Sequence, residues 1–432
     1  MSAACWIGGP VNGLLSVTTF GETFGDGAVI EAISPVSSSQ LTLLFRNATK
    51  KSTARRIQYA GRIYCAPELD ETLRHAIRFP HIAKNYGSTE KLFHRIRDIF
   101  SRHGGLTDAE SSLMTAWVTS SWCPDLLSSP PALFVSGADM AIAVGLFRLL
   151  HCLCRRAVVL GGVNRNAFLS LGPISATLLI NGPSLSPEIR DLWNTSNYRG
   201  VHVFGNGGVY SLASSKAVFT GMADPRYDEG VHLALRPGQG ILLQLTELQL
   251  SEIAGEIQPR LLMYRLKNFQ RVRDFSASER ALNSLRTETV RALAASVMND
   301  PEILRAINPL LKTMEQETTE HHGGEVHVAV IEASWAASHE VREIAISKLT
   351  GLANALLRCR DETRAYSPSE VGWRLRNLGL SRHRNAKGKV LQFSRENRVL
   401  IHQLATTWGL KIRPVADCSL CCPEGTDARM LM

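Results

Sequence analysis

Four residues of this 432-residue chain stand where a phosphate group could be held: Gly137, Asp139, Asn181 and Thr220. Each lies at or just past the end of an apolar, strand-like run. Ala132-Leu133-Phe134-Val135-Ser136 ends at Gly137, and the helix-length apolar stretch Met140 to Arg155 follows. Ala176 to Ile180 ends at Asn181-Gly182, and Ala217 to Phe219 ends at Thr220. Phosphate chemistry at such a turn needs the spacing G-x-x-x-x-G-K-S/T. Backbone N–H groups cradle the phosphates, the lysine reaches the outer oxygens, and the hydroxyl holds Mg²⁺. Counted from Gly137, the second glycine falls on Ile142, the lysine on Ala143 and the hydroxyl on Val144, all apolar. The acid pair that would hold the metal and activate water is replaced by Asn181-Gly182, which carries no charge and takes no proton. The expectation is therefore a scaffold whose apolar residues pack. No catalytic residue, no bound metal and no ATP or Mg²⁺ cofactor are expected.

The elements that must position these residues alternate. Ala157 to Leu160, Val201 to Phe204, Val209 to Leu212 and Val231 to Leu235 read as further strands, with helices near Asn166–Leu171 and from Ser186-Pro187-Glu188. Such alternation implies a mostly parallel sheet with helices on both faces, an α/β fold of the P-loop NTPase type. Before it, Leu92, Phe93, Ile96, Ile99 and Phe100 share one helix face, and Thr107 with Glu110 spells a capping box. Residues 1 to about 45 are poor in charge and suggest short strands, and Arg46 to Arg62 is a small basic cluster read as a solvated surface. From Leu248 to about Glu320 the pattern is helical, with polar residues from Glu315 to Gly324 read as a linker.

Composition excludes several classes. With 44% hydrophobic and 20% charged residues the chain is of globular type, and no apolar run reaches the length of a membrane helix. No secretory signal is read near the N-terminus. Nine cysteines without regular spacing suit reduced thiols and a cytoplasmic location. The formal net charge of +9 favours an acidic partner, nucleic acid first.

The run Leu146-Phe147-Arg148-Leu149-Leu150-His151-Cys152-Leu153-Cys154-Arg155-Arg156, and later Leu261-Leu262-Met263-Tyr264-Arg265-Leu266-Lys267-Asn268-Phe269, resembles helicase-type P-loop (AAA+-like) ATPases of phage and integrated-plasmid primase–helicase systems. The resemblance covers about Pro80 to Gly409. It implies ring-forming, ATP-driven motors on nucleic acid, hence a homo-oligomer, with an arginine finger near the strand before Val231. Asp228-Glu229-Gly230 stands there instead, and Arg226 is the nearest arginine. Thr220 is the position that still suits a sensor role. By this measure the chain is a degenerate relative.

Charge is concentrated further on. Between Gly372 and Val399 stand Arg374, Arg376, Arg382, Arg384, Lys387, Lys389, Arg395 and Arg398, against Glu396 alone. A helix from about Val341 to Leu357, a second capped by Ser367 and Glu370, and a basic hairpin from Ser381 to Phe393 compose a winged helix-turn-helix. In such a unit a helix enters the major groove and the wing lies on phosphates. Cys418, Cys421 and Cys422 offer three thiols, with His402 as a candidate fourth ligand, but a frayed tail is the expectation there. His321, His322 and His327 read as solvated.

The sequence thus divides into 1–66 of uncertain structure, a helical region and linker at 67–131, the α/β core at 132–247, a helical region at 248–324, a winged helix at 325–410 and a tail at 411–432. The function expected is nucleic-acid binding, DNA first, by a protein with a non-hydrolysing ATPase core, a scaffold or regulator in mobile-element replication. Two other readings stay open: an active motor with residues supplied by a neighbouring subunit, and a protein-interaction module.

Overall fold

The computed structural model describes residues 7–11, 14–137, 140–182, 185–205, 208–221, 230–235, 245–276, 288–297, 300–324, 326–360, 362, 365–380, 382–385, 388–407, 410, 415 and 418–421. The chain forms two compact units, Met1–Met314 and Glu315–Met432. Among the described residues no helix is long and apolar enough to cross a membrane.

The first unit opens with eight strands: β1 (Ile7–Val11), β2 (Leu14–Thr18), β3 (Gly21–Thr23), β4 (Val29–Ile33), β5 (Thr42–Arg46), β6 (Lys51–Ala54), β7 (Arg56–Tyr59) and β8 (Arg62–Cys65). They make two four-stranded sheets, ordered β1-β2-β8-β7 and β3-β4-β5-β6. The basic cluster from Arg46 to Arg62 spreads over β5 to β8 and the turns between them. Three helices follow, each started by a side chain that accepts an otherwise orphaned N–H. Asp70 caps α1 (Glu71–Ala76), Ser88 caps α2 (Thr89–Gly104), and Thr107 with Glu110 forms the full capping box of α3 (Asp108–Ser121).

The core then runs β9 (Ala132–Ser136), α4 (Met140–Leu153), β10 (Val158–Leu160), α5 (Arg165–Ser170), β11 (Leu178–Asn181), α6 (Pro187–Ser196), β12 (His202–Gly205), β13 (Gly208–Ser211), β14 (Lys216–Gly221) and β15 (Val231–Ala234). Five strands pair in parallel in the order β10-β11-β14-β9-β15. Alternate residues of β9 feed two different cores. Leu133 and Val135 pack with residues of α2, α3 and α4, while Ala132 and Phe134 join a second cluster that includes Ile30 and Leu43 of the N-terminal strands. Both faces are buried, which is why these strands are continuous apolar runs.

β12 and β13 are not members of this sheet, contrary to the sequence reading. Among the described residues they pair only with each other, antiparallel, with His202 opposite Ser211 and Gly205 opposite Gly208. With two residues between them, consecutive strands joined so tightly cannot run parallel. Phe204 and Val209 are exposed accordingly. The first unit ends with α7 (Glu247–Ser276), α8 (Glu288–Val297) and the start of α9 (Pro301–Gly324). The polar stretch Glu315–Gly324, read as a linker, is the last part of α9. Its glutamates and glutamine are good helix formers whatever their polarity.

One buried charge cluster joins these parts. Glu31 on β4 is 1% exposed. Its carboxylate accepts from Arg155 Nε at 2.8 Å and Nη2 at 3.0 Å, from Arg156 Nη2, and from Arg265 Nε at 3.2 Å. Arg265 also makes a two-pronged contact with Asp125, at 2.7 and 2.8 Å. Gly21 leaves room for this, since a Cβ there would lie 2.5 Å from Arg156 Nη2 and 2.9 Å from Glu31 Oε2. Arg156 itself sits in the left-handed region at φ 50°, a conformation costly for a residue with a Cβ and held here by its contacts.

The second unit comprises α10 (Val326–Glu340), β16 (Glu343–Ala345), α11 (Ile346–Arg358), α12 (Pro368–Asn377), β17 (Arg382–Asn385), β18 (Gly388–Gln392) and α13 (Arg395–Thr407). The helix expected from Val341 starts only at Ile346. The residues before it form β16, which adds to the hairpin in the order β16-β18-β17, with Ile344 opposite Leu391. Both of these are buried, and pairing with the open edge of β18 satisfies backbone groups that another helical turn would not. The tail is not frayed where it is described: a turn at Cys418–Cys421 lies beside His402.

Burial alone would raise the Glu31 carboxyl, but Arg155, Arg156 and Arg265 outweigh it and hold it down at about 2. An unfolded glutamate titrates near 4.3. The stability Glu31 contributes is therefore full above about pH 4.3 and lost as pH falls through about 2, an amount on the order of 3 kcal/mol. Acid titration of unfolding free energy is expected to show this loss in wild type and not in Glu31→Gln. At neutral pH Glu31→Gln, which leaves Arg155 and Arg156 buried without a carboxylate and Arg265 with Asp125 alone, is expected to cost about 3–5 kcal/mol in denaturant unfolding.

Candidate functional site

The strand order sets where a ligand crevice would lie. From β9 the chain crosses to one edge of the sheet at β10, returns through β11 and β14, and then passes over β9 to β15. The connections after β9 and β14 leave in opposite directions, so the topological switch point lies at the carboxyl ends of those two strands. Gly137 follows β9, Thr220 is the penultimate residue of β14, and Asn181 ends β11, in register with Phe219 of β14. Three of the four sequence candidates thus share one edge of the sheet. Asp139 lies outside the described residues, as do Arg226 and Asp228-Glu229.

The local packing explains the residue types without a phosphate. A Cβ on Gly137 would lie 3.0 Å from both Cβ and the carbonyl oxygen of Leu235, so the glycine lets the end of β9 pass the end of β15. Ile142 and Ala143, at the positions of the second glycine and the lysine, are buried in the core beneath α4, with Ala143 fully enclosed. Val144 is half-buried. At Asn181 the Oδ1 atom is buried and has no hydrogen-bond partner among the described residues. Buried hydrocarbon thus stands at the positions that the G-x-x-x-x-G-K spacing assigns to the second glycine and the lysine.

A buried cation that the sequence reading missed stands at the opposite end of β14. Lys216 is 1% exposed. Its Nζ donates to Asn197 Oδ1 at 2.5 Å, Leu212 O at 2.6 Å and Ser214 O at 2.9 Å, one acceptor for each N–H. Burial pushes the ammonium down to about 7. Lys216 lies at the amino end of its strand, away from the switch point, so it serves packing there. Its position at the head of an apolar run was the available signal.

In the second unit the eight basic candidates differ in what they can offer. Lys389 and Arg395 are exposed. Arg374 is half-buried, stacked 4.7 Å from the centre of the Tyr366 ring, and bonds the Glu370 carbonyl at 3.2 Å. Arg398 bonds the Phe393 carbonyl at 3.2 Å. Both are held by their own fold. Arg376 lies on α12, and Arg382 and Arg384 lie on β17, where Arg384 pairs with Lys389 across the hairpin. Lys387 lies outside the described residues. His383 on the same strand is 3.8 Å from Glu343 of β16. The same unit brings His339, His402, Cys418 and Cys421 together. His339 was not among the sequence candidates, and Cys422 lies outside the described residues.

No family model matches this sequence, and no curated protein matches it either. Among solved structures, the apo C-terminal region of NrS-1 aligns over 84% of this chain and 95% of its own length, at 8% identity and a TM-score of 0.32. Cdc6p from Pyrobaculum aerophilum aligns over 78% and 98%, at 12% identity and a TM-score of 0.16. Likeness at these TM-scores bears on neither the fold nor the function of the chain.

Proposed function

We propose that this protein binds duplex nucleic acid, DNA first, through α11, α12 and the β17–β18 hairpin, which act as a winged helix-turn-helix. In this reading the α/β core derives from a P-loop ATPase, does not turn over ATP, and serves as a scaffold or regulator rather than a motor. The observation that carries the proposal is the order of the second unit. A helix, a strand, two helices and a hairpin follow one another, the first strand pairs into the hairpin, and Arg384 stands opposite Lys389 at its tip. Like charges directly opposite each other destabilise a hairpin, so a polyanion is the natural partner for that pair. Phosphate contacts from the hairpin would fix register, while α12 would lie in the groove.

The test is fluorescence anisotropy of a labelled duplex with the full chain across a salt series. Changing Arg382, Arg384, Lys387 and Lys389 together to Ala is expected to weaken binding and to reduce the log–log salt slope by about 3–4, close to one for each phosphate no longer neutralised. An unchanged slope with the fold intact contradicts the proposal. For the core, no Mg²⁺-dependent ATP hydrolysis above background is expected. Ala143→Lys with Val144→Thr, which restores the missing side chains on paper, is expected to give no turnover and to lower unfolding free energy by about 3 kcal/mol or more, because position 143 is enclosed. Hydrolysis by the wild type, abolished by changing Asn181, contradicts it.

A further inference from the structure

Two histidines and two cysteines, distant in sequence, meet in the second unit. Their ligand atoms all lie within 4.8 Å of one another. His402 Nε2 is 3.3 Å from Cys421 Sγ and 3.6 Å from Cys418 Sγ, and His339 Nε2 is 3.4 Å from Cys421 Sγ. Zinc bonds to nitrogen of about 2.0 Å and to sulfur of about 2.3 Å, meeting at a tetrahedral angle, separate N from S by about 3.5 Å. The three separations bracket that value.

The atoms behind the cluster prepare the histidines for a metal. His339 Nδ1 is 2.8 Å from the Trp335 carbonyl, and His402 Nδ1 is 2.8 Å from the Arg398 carbonyl, each one helical turn back. A carbonyl oxygen only accepts, so each Nδ1 carries the proton and donates. In the neutral ring Nε2 then presents its lone pair to the cluster. A ligating histidine whose other nitrogen donates to a backbone carbonyl is the usual outer-shell arrangement of a metal site. The cysteines, with two residues between them, share one turn, in which the Cys421 N–H donates to the Cys418 carbonyl at 3.0 Å. The indole of Trp335 lies beside both rings, 4.4 Å from His339 and 6.1 Å from His402 between centroids. All four ligands are half-buried.

We propose that His339, His402, Cys418 and Cys421 form a tetrahedral structural zinc site that pins the C-terminal turn across the end of α10 and the middle of α13. Two imidazoles and two thiolates suit zinc, and four protein ligands leave no open position for catalysis. On binding, each thiol gives up its proton to solvent and its sulfur lone pair to the metal. The site stands whether or not the unit binds nucleic acid.

The test uses the full chain, purified under reducing conditions from zinc-supplemented medium. One zinc per chain is expected to survive dialysis, measured by plasma mass spectrometry. Cobalt in its place is expected to give the intense visible bands of tetrahedral coordination with thiolate charge transfer. Cys418→Ser with Cys421→Ser, and separately His339→Ala, are expected to lose stoichiometric zinc. Cys359→Ser, at an exposed thiol elsewhere in the unit, is expected to keep it. The cobalt spectrum of the wild type decides the matter even if the ligand variants fail to fold. A wild-type chain that comes out free of zinc and gives no thiolate–cobalt bands overturns the proposal. So does a double-serine variant that keeps the full zinc content, or a Cys418–Cys421 disulfide that survives the reductant.

Discussion

A glutamate buried among three arginines is the constraint around which the first unit is arranged. Glu31 comes from the N-terminal strands, Arg155 and Arg156 from the turn that follows α4, and Arg265 from α7. Asp125, in the segment before β9, completes the set through Arg265. Buried ion pairs of this kind contribute little net stability compared with hydrocarbon, but any one partner left alone is costly. The cluster therefore acts as a register pin. The N-terminal sheet, the end of α4 and the long α7 must arrive together, or a bare charge is left inside. With three cations against two acids, burial also pulls the Arg156 guanidinium down to about 9.

This pin gives a physical meaning to two runs of the sequence, Leu146–Arg156 and Leu261–Phe269. The first ends in Arg155-Arg156 and the second contains Arg265, and in the structure those residues meet on one carboxylate. The two runs are joined through this buried packing. The sheet edge follows the same logic: Gly137 accommodates Leu235, and Ala143 is enclosed.

How much of this could be read in advance follows from the range of the forces involved. Short-range rules worked. Thr107 and Glu110, or Ser367 and Glu370, bond each other as capping boxes because the partners are three residues apart. Continuous apolar runs marked β9, β11 and β14 because both faces of that sheet are covered. Most of what failed depended on partners far away in sequence. Nothing near Glu31 announces that its counter-ions lie 124, 125 and 234 residues on. β16 is three residues long and exists because β18 offers it an edge. Val201–Phe204 is a different case: it had the composition of a core strand, yet it pairs with the neighbouring β13 as half of a separate hairpin. At the metal-like cluster, Cys418, Cys421 and His402 were visible as candidates, but His339 looked like any polar residue at a helix end, and only the fold places it beside the others.

In the proposed function the working surface lies on the basic hairpin and α12, and the carboxyl edge of the parallel sheet takes no nucleotide. Hydrogen exchange of the full chain, followed by mass spectrometry with duplex DNA and separately with Mg²⁺-ATP, tests that division most directly. DNA is expected to slow exchange in peptides from residues 368–398, and ATP to leave peptides from residues 132–153 and 176–182 unchanged. ATP-dependent protection around Gly137 and Asn181, with no effect of DNA on the second unit, would contradict it.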